Sequence, residues 1–316
     1  MKKYILVFLK IALLFVGYSY LKTAHKTSHD FYYWKSTYEL NETANTPKYI
    51  KVLDIAFHET LTLRKTIFKN KSPKNIVPVI YIDNGVWKKM KATTMARKIL
   101  TVLKSMPLEA FEEIQVDCDW TNSSKTSYFK FLKLLHEQSR KTLSVTIRLH
   151  QVKYYQKTGV PPVDYGVLMY YNMSNFQDLA TKNYILDLEV AKRYHYNFES
   201  YPLALNLALP LYSQATIIRF SEVVGLMEGV REQELNSNFK AIGEHLFAVT
   251  KTHYFKGKLL YEGDQIRVDE VSKELLVKTI TVLKKVMKQP KEIIFYRWGN
   301  LDFYGQKNLT EVVERW

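Results

Sequence analysis

Residues 113–121, EIQVDCDWT, close an apolar run with two acids and an aromatic. Asp117 and Asp119 are two residues apart, so on an extended strand both point to the same side. Carboxyls that close disfavour simultaneous ionisation unless a cation stands between them, which is the setting in which one carboxyl keeps a proton for acid–base work. Arg148, near the end of TLSVTIRLH (142–150), is the cation at hand, and Asp83 and His150 end neighbouring apolar runs in the same way. The competing reading is an Asp–Arg network that fills a polar interior and does no chemistry. His58, Asp83, Asp119 and His150 are residue types that ligate a divalent ion. No His-x-His pair strengthens that set, and no metal is expected. With no Gly-x-Ser-x-Gly elbow and no glycine-rich phosphate loop, a serine-hydrolase nucleophile and a nucleotide cofactor lack support, so no cofactor is expected.

Aromatic residues form a second group. Trp34, Tyr81, Trp120, Tyr171, Tyr212 and Trp298 fall at or near the ends of apolar runs, with Asn172 beside Tyr171. Sugar rings have apolar faces and hydroxyl rims, so aromatic platforms among carboxylates and amides suit a saccharide cleft, although any one of these rings could equally be core.

Eight segments read as strands that would position these residues: 31–40, 49–57, 77–83, 111–119, 142–150, 165–173, 201–210 and 292–298. Stretches of helical period separate most of them, notably 88–106, 125–140 and 273–288. Alternating units of this kind predict a (β/α)8 TIM barrel. Residue parity agrees. Leu53, Ile55, Ile80, Ile82, Ile114, Val116, Val145, Ile147, Leu205 and Leu207 form an apolar set that would pack under outer helices. The alternate set (Asp54, Tyr81, Asp83, Gln115, Asp117, Asp119, Thr146, Arg148, His150 and Asn206) would point inward, where barrel enzymes keep their sites at the strands' C-terminal ends. The region 213–291 is too long for one crossover and is read as an insertion between strands 7 and 8, a hairpin or lid built from 247–270. The barrel domain is placed at 30–316.

The bulk composition, 47% hydrophobic and 14% aromatic with 23 tyrosines, provides for a large core. The formal net charge of +15 is spread singly, with no arginine-rich run, so nucleic acid is not an expected partner. Residues 1–22, MKKYILVFLKIALLFVGYSYLK, have the layout of a signal peptide or N-terminal membrane anchor, and either places the remainder outside the cytoplasm, in the periplasm or held at the outer side of the cytoplasmic membrane. Cys118 is the single cysteine, so no intramolecular disulfide supports the fold.

IQVDCDWT (114–121) resembles the fourth-strand signature of glycoside hydrolase family 18, the chitinase-like barrels, Asp-x-x-Asp-x-Asp-x-Glu. LMYYNM (168–173) resembles that family's sixth-strand Met-x-Tyr-Asp/Asn, and Trp298 resembles its aromatic after the eighth strand. Asp117, Asp119, Trp120, Met169, Tyr171 and Asn172 match; Ile114 replaces the first Asp, and Thr121 stands where the family has its acid glutamate. That glutamate protonates the leaving oxygen, and a threonine cannot, so the resemblance implies the fold but not chitinase turnover. Taken over most of its length, with WKSTYEL, TIRLHQ, TGVPPVDYG and YPLALNLALP, the chain resembles exported bacterial proteins related to such barrels, a family that implies a fold without a fixed activity.

Three functional expectations follow. One is a glycosidase-like hydrolase with Asp119 as proton donor or electrostatic stabiliser, Asp83 or His150 as partner, Asp117 a further catalytic candidate, Tyr171 and Asn172 orienting the substrate, and Trp34, Tyr81, Trp120, Arg148, Tyr212 and Trp298 binding it. The second is a non-catalytic saccharide-binding protein using the same cleft. The third is an envelope structural protein. The oligomeric state is left open.

Overall fold

The computed structural model describes residues 26–40, 46–299 and 301–316, so the expected signal or anchor, 1–22, lies outside the described residues. Eight parallel strands close on themselves: β1 (Ser28–Tyr33), β2 (Tyr49–Phe57), β3 (Val77–Ile82), β4 (Glu113–Asp117), β5 (Thr142–Arg148), β6 (Tyr165–Met169), β7 (Leu205–Pro210) and β8 (Glu292–Tyr296). Each pairs with its neighbours in chain order, and β1 closes the ring by pairing with β8 over Ser28–Tyr32 and with β2 at Tyr32 and Tyr33. This is the TIM barrel that the alternation predicts. Helices α1 (Ala92–Lys104), α2 (Lys125–Ser139), α3 (Lys273–Leu283) and α4 (Gln306–Val313) cover part of its outside. The β2–β3 crossover carries no helix; Leu61–Lys65 instead turns back antiparallel on β2.

Strand parity sorts the side chains as expected. Ile80, Ile82, Ile114, Val116, Val145, Ile147, Leu207, Leu209, Ile293 and Phe295 pack in the large outer core under the helices. Tyr32, Tyr49, Val77, Val79, Val167, Met169, Ala208 and Ile294 form a smaller core inside the ring. The polar residues of the interior hydrogen-bond to one another, as burial requires. Tyr32 Oη donates to Gln115 Oε1 at 2.7 Å, Gln115 Nε2 to Ser144 Oγ at 3.2 Å, and Ser144 Oγ to Glu113 Oε1 at 2.6 Å, while Tyr165 also donates to Glu113. This chain is the floor under the mouth.

Between β7 and β8 the insertion is larger than a hairpin. Residues 214–219, 222–228, 239–243, 246–249 and 265–269 form a five-stranded antiparallel sheet, with a further hairpin at 253–260. Ala215, Ile217, Met227, Val249, Ile266 and Val268 give it a core of its own. Its sequence is punctuated by glycine and charge, and the apolar runs that mark its strands, such as ATII (215–218) and LFAV (246–249), are short.

Candidate functional site

A cavity of about 310 Å³ opens at the C-terminal end of the strands, lined by Tyr32, Trp34, Tyr81, Asp117, Asp119, Thr146, Arg148, Met169, Tyr171, Asn172 and Tyr296. Seven of the residues expected from sequence meet there: Asp117, Asp119, Tyr171, Trp34, Tyr81, Arg148 and Asn172. One wall is aromatic. Tyr171 and Tyr296 stack with ring centroids 5.4 Å apart and planes 11° from parallel, and Trp34 meets Tyr296 edge-on at 5.7 Å.

Asp117 is the innermost acid. It accepts a 2.5 Å hydrogen bond from Thr146 Oγ1. Burial pushes its carboxyl up to about 6; the Thr146 bond opposes this, Asp119 adds to it, and Arg148 works against it. Asp119 lies further out, mostly exposed, 3.6 Å from Arg148 Nη1. Of the two acids the sequence pairs, Asp117 is the one whose environment favours the protonated form, up to about pH 6. Burial, then Asp117 and Asp83, raise the Tyr81 phenol to about 12, so it stays a hydrogen-bond donor.

Asp117 leads to a stability prediction. Its unfolded value is about 3.9, so between roughly pH 4 and 6 the folded chain holds more protons than the unfolded one, and stability falls as pH rises through that window. An asparagine side chain in its place would still accept from Thr146, without the charge. Asp117→Asn is expected to be more stable than the parent by about 1–2 kcal/mol at pH 7 and no more stable at pH 4, read from urea unfolding midpoints. Lower stability of the variant at pH 7 would overturn the assignment.

Asn172 sits at positive φ (52°), a conformation asparagine tolerates better than most residues, and it is held on three sides. Its N–H donates to Ile185 O at 2.8 Å, Tyr212 Oη donates to its side-chain oxygen, and Tyr171 precedes it in the wall. Tyr212 therefore positions Asn172 from behind rather than lining the cavity.

Four other expected residues are placed elsewhere. Asp83 accepts from Gly85 N–H at 2.8 Å and caps the 3₁₀ turn Asn84–Lys88, so its side chain is engaged in local structure. His150 falls on a short helix, Leu149–Lys153, because β5 ends at Arg148. It lines a smaller pocket of about 160 Å³ that shares Arg148, Tyr171 and Asn172 with the mouth. Burial, then the Arg148 charge, lowers its imidazole, and the weaker pull of Asp119 opposes them. Trp120 is buried in the outer core, stacked on Tyr128 at 5.5 Å. Trp298 packs outside the ring against Phe31 at 5.3 Å. The aromatic that β8 contributes to the mouth is Tyr296, which shares parity with inward Ile294; extending the parity count to β8 would have found it.

The sequence reading also passed over Lys51. It is buried, 2.8 Å from Asp54 and 5.5 Å from the Trp34 ring, and so ties the rim of β2 to the aromatic wall. Thr121 does not line the cavity. It is exposed, its hydroxyl 2.9 Å from Ser123 Oγ and 3.3 Å from Asn84 Nδ2. Among the described residues, no three of His, Cys, Asp and Glu gather as they would to hold a metal ion.

No family model matches the sequence, and no curated protein matches it. The fold is similar to that of a chitinase from Chromobacterium violaceum ATCC 12472, at 11% identity and a TM-score of 0.56, over 92% of this chain and 98% of that one. It is also similar to the Group IV chitinase of Ostrinia furnacalis, at 11% identity and a TM-score of 0.51 over 91% and 98%. A chitinase from Rhizomucor miehei matches at 9% identity and a TM-score of 0.51, over 91% and 99%. The resemblance read from VDCDWT and LMYYNM therefore holds as a likeness of fold to chitinases.

Proposed function

We propose that the barrel mouth binds a saccharide and does not perform chitinase-type hydrolysis. The observation that carries this reading is the cavity itself: the stacked Tyr171–Tyr296 wall with Trp34 on one side, and Asp117, Asp119, Arg148 and Asn172 around it. Aromatic faces take the apolar face of a sugar ring, and carboxylates, guanidinium and amide take its hydroxyls. That the solved structures of similar fold are chitinases supports a saccharide as the ligand class. The acid those enzymes would need has no counterpart at Thr121, which is exposed and tied to Ser123.

A second reading is favoured by one observation. A carboxyl at about 6 beside a second, differently placed carboxyl is the arrangement acid–base hydrolysis uses, with Asp117 as the acid and Asp119 as its partner. Titrating oligosaccharides against the intrinsic fluorescence of Trp34 while assaying the same mixtures for released sugar separates the two. Saturable binding with no product supports the first reading. Turnover that disappears in Asp117→Asn replaces it with the second, and no binding of any glycan removes both. Trp34→Ala is expected to weaken binding about tenfold, measured by calorimetry because the reporter is lost, which corresponds to the ~1.4 kcal/mol that one aromatic contact supplies.

A further inference from the structure

The N-terminal face of the barrel, opposite the mouth, gathers lysines at the point where the chain enters the fold. Lys284, Lys285, Lys288 and Lys291 are exposed on the segment that leads from α3 into β8. Ser28 N–H donates to Lys291 O at 3.0 Å and Thr27 Oγ1 to Pro290 O at 2.9 Å, so the start of the described chain lies directly against this segment. Lys26 is on the same face, 2.8 Å from Glu314, and exposed Arg315 accepts Lys284 Nζ at its carbonyl. A cavity of about 810 Å³ opens there, with Lys48, Lys288 and Lys291 in its wall.

The acids of this face are mostly engaged. Glu292 accepts from Tyr49 Oη at 2.5 Å and from Lys48 Nζ at 3.2 Å, Asp164 accepts from Leu143 N–H at 2.7 Å and faces His136, and Glu314 holds Lys26. Glu199 is exposed at the rim. The opposite face presents Asp54, Asp117 and Asp119. Lysines at helix C-termini are ordinary, since they complement the helix dipole. Here, however, Lys288 and Lys291 lie past the end of α3, where the dipole no longer accounts for them.

Upstream of Lys26, separated from it by residues 18–25, the sequence carries the apolar run of residues 4–17, interrupted only by Lys10. The geometry points to an anionic phospholipid surface as the partner of this face. The lysines around Lys288 lie on lipid headgroups, and the mouth opens away from the bilayer. Lysines near such a surface attract it by about 1 kcal/mol each, an effect confined to roughly a Debye length, so the contact is lost in high salt.

The test uses the full chain in vesicles carrying a headgroup-attached quencher, with a fluorophore on Glu199→Cys at the base or on Asn122→Cys beside the mouth. Phosphatidylcholine vesicles containing about a third phosphatidylglycerol are compared with phosphatidylcholine alone. Lipid composition separates docking from simple tethering by the apolar run. The base label is expected to be quenched several-fold more in the anionic vesicles, and the mouth label equally little in both. About 1 M salt should return the base label to its phosphatidylcholine value. Changing Lys284, Lys285, Lys288 and Lys291 together to Glu should do the same. Equal quenching of both labels, indifference to lipid charge, or persistence in high salt of the parent chain would overturn the assignment, the last without depending on how the charge-reversed variant folds.

Discussion

Trp120→Ala is expected to lower stability by about 3–5 kcal/mol, measured by urea unfolding, and to leave saccharide affinity within about twofold of the parent. Trp120 is 2% exposed. Its ring stacks on Tyr128 and meets Phe129 edge-on at 5.9 Å, and its Nε1–H donates to Thr158 O at 3.2 Å. Removing it opens a void between β4 and α2 that the packed neighbours cannot collapse to fill, and leaves the Thr158 carbonyl without this donor. Its backbone is used as well: Gln151 Nε2 donates to Trp120 O at 3.0 Å, pinning the short helix after β5 to the end of β4. Trp120→Phe keeps most of the stack and should cost less than half as much. A large loss of affinity in a folded Trp120→Ala chain would return this residue to the mouth, and the aromatic wall would have to be redrawn.

The contrast between Trp120 and Tyr296 shows what a sequence can reveal here. Strand parity is a strict period of two, so every residue inside a regular strand could be assigned to core or mouth, and Asp117, Thr146 and Arg148 followed from it. Trp120 has the parity of Ile114, Val116 and Cys118 and packs with them in the outer core, so the period of two, and not nearness to the strand's end, was the signal that places it. Parity stops where the strand does: β5 ends at Arg148, and His150, expected to point inward, continues into a helix. Lys51 is hidden by a different device, an irregularity in the β2–β3 register between Lys51 and Leu53 that leaves Val52 and Leu53 both in the outer core. The inserted sheet was legible only in part: one outer strand, Phe239–Gly243, is exposed over most of both faces and carries little hydrophobic alternation to read, and the other, Glu222–Glu228, buries only Met227.

Asp269→Ala is expected to destabilise the protein by about 3–5 kcal/mol, because it leaves a buried guanidinium without its counter-charge. Arg267 and Asp269 lie on the central strand of the inserted sheet, 3% and 0% exposed, with Arg267 Nε 3.1 Å from Asp269 Oδ1. The remaining donors of Arg267 reach Asp178 O at 3.2 Å and Phe176 O at 3.3 Å, and Asp269 accepts from Tyr184 N–H at 3.1 Å. The pair therefore clamps the loop that follows β6 against the insertion, and near the start of that loop is Asn172, which lines the mouth. Unfolding midpoints should fall by the stated amount. At a temperature where the variant remains folded, saccharide affinity should fall too, as the loop that carries Asn172 loosens. Replacing both partners, Arg267→Met with Asp269→Leu, removes the stranded charge, so it should recover most of the stability but not the affinity, because the three backbone contacts to the loop stay broken. Full recovery of both would show that the insertion contributes to stability without shaping the mouth.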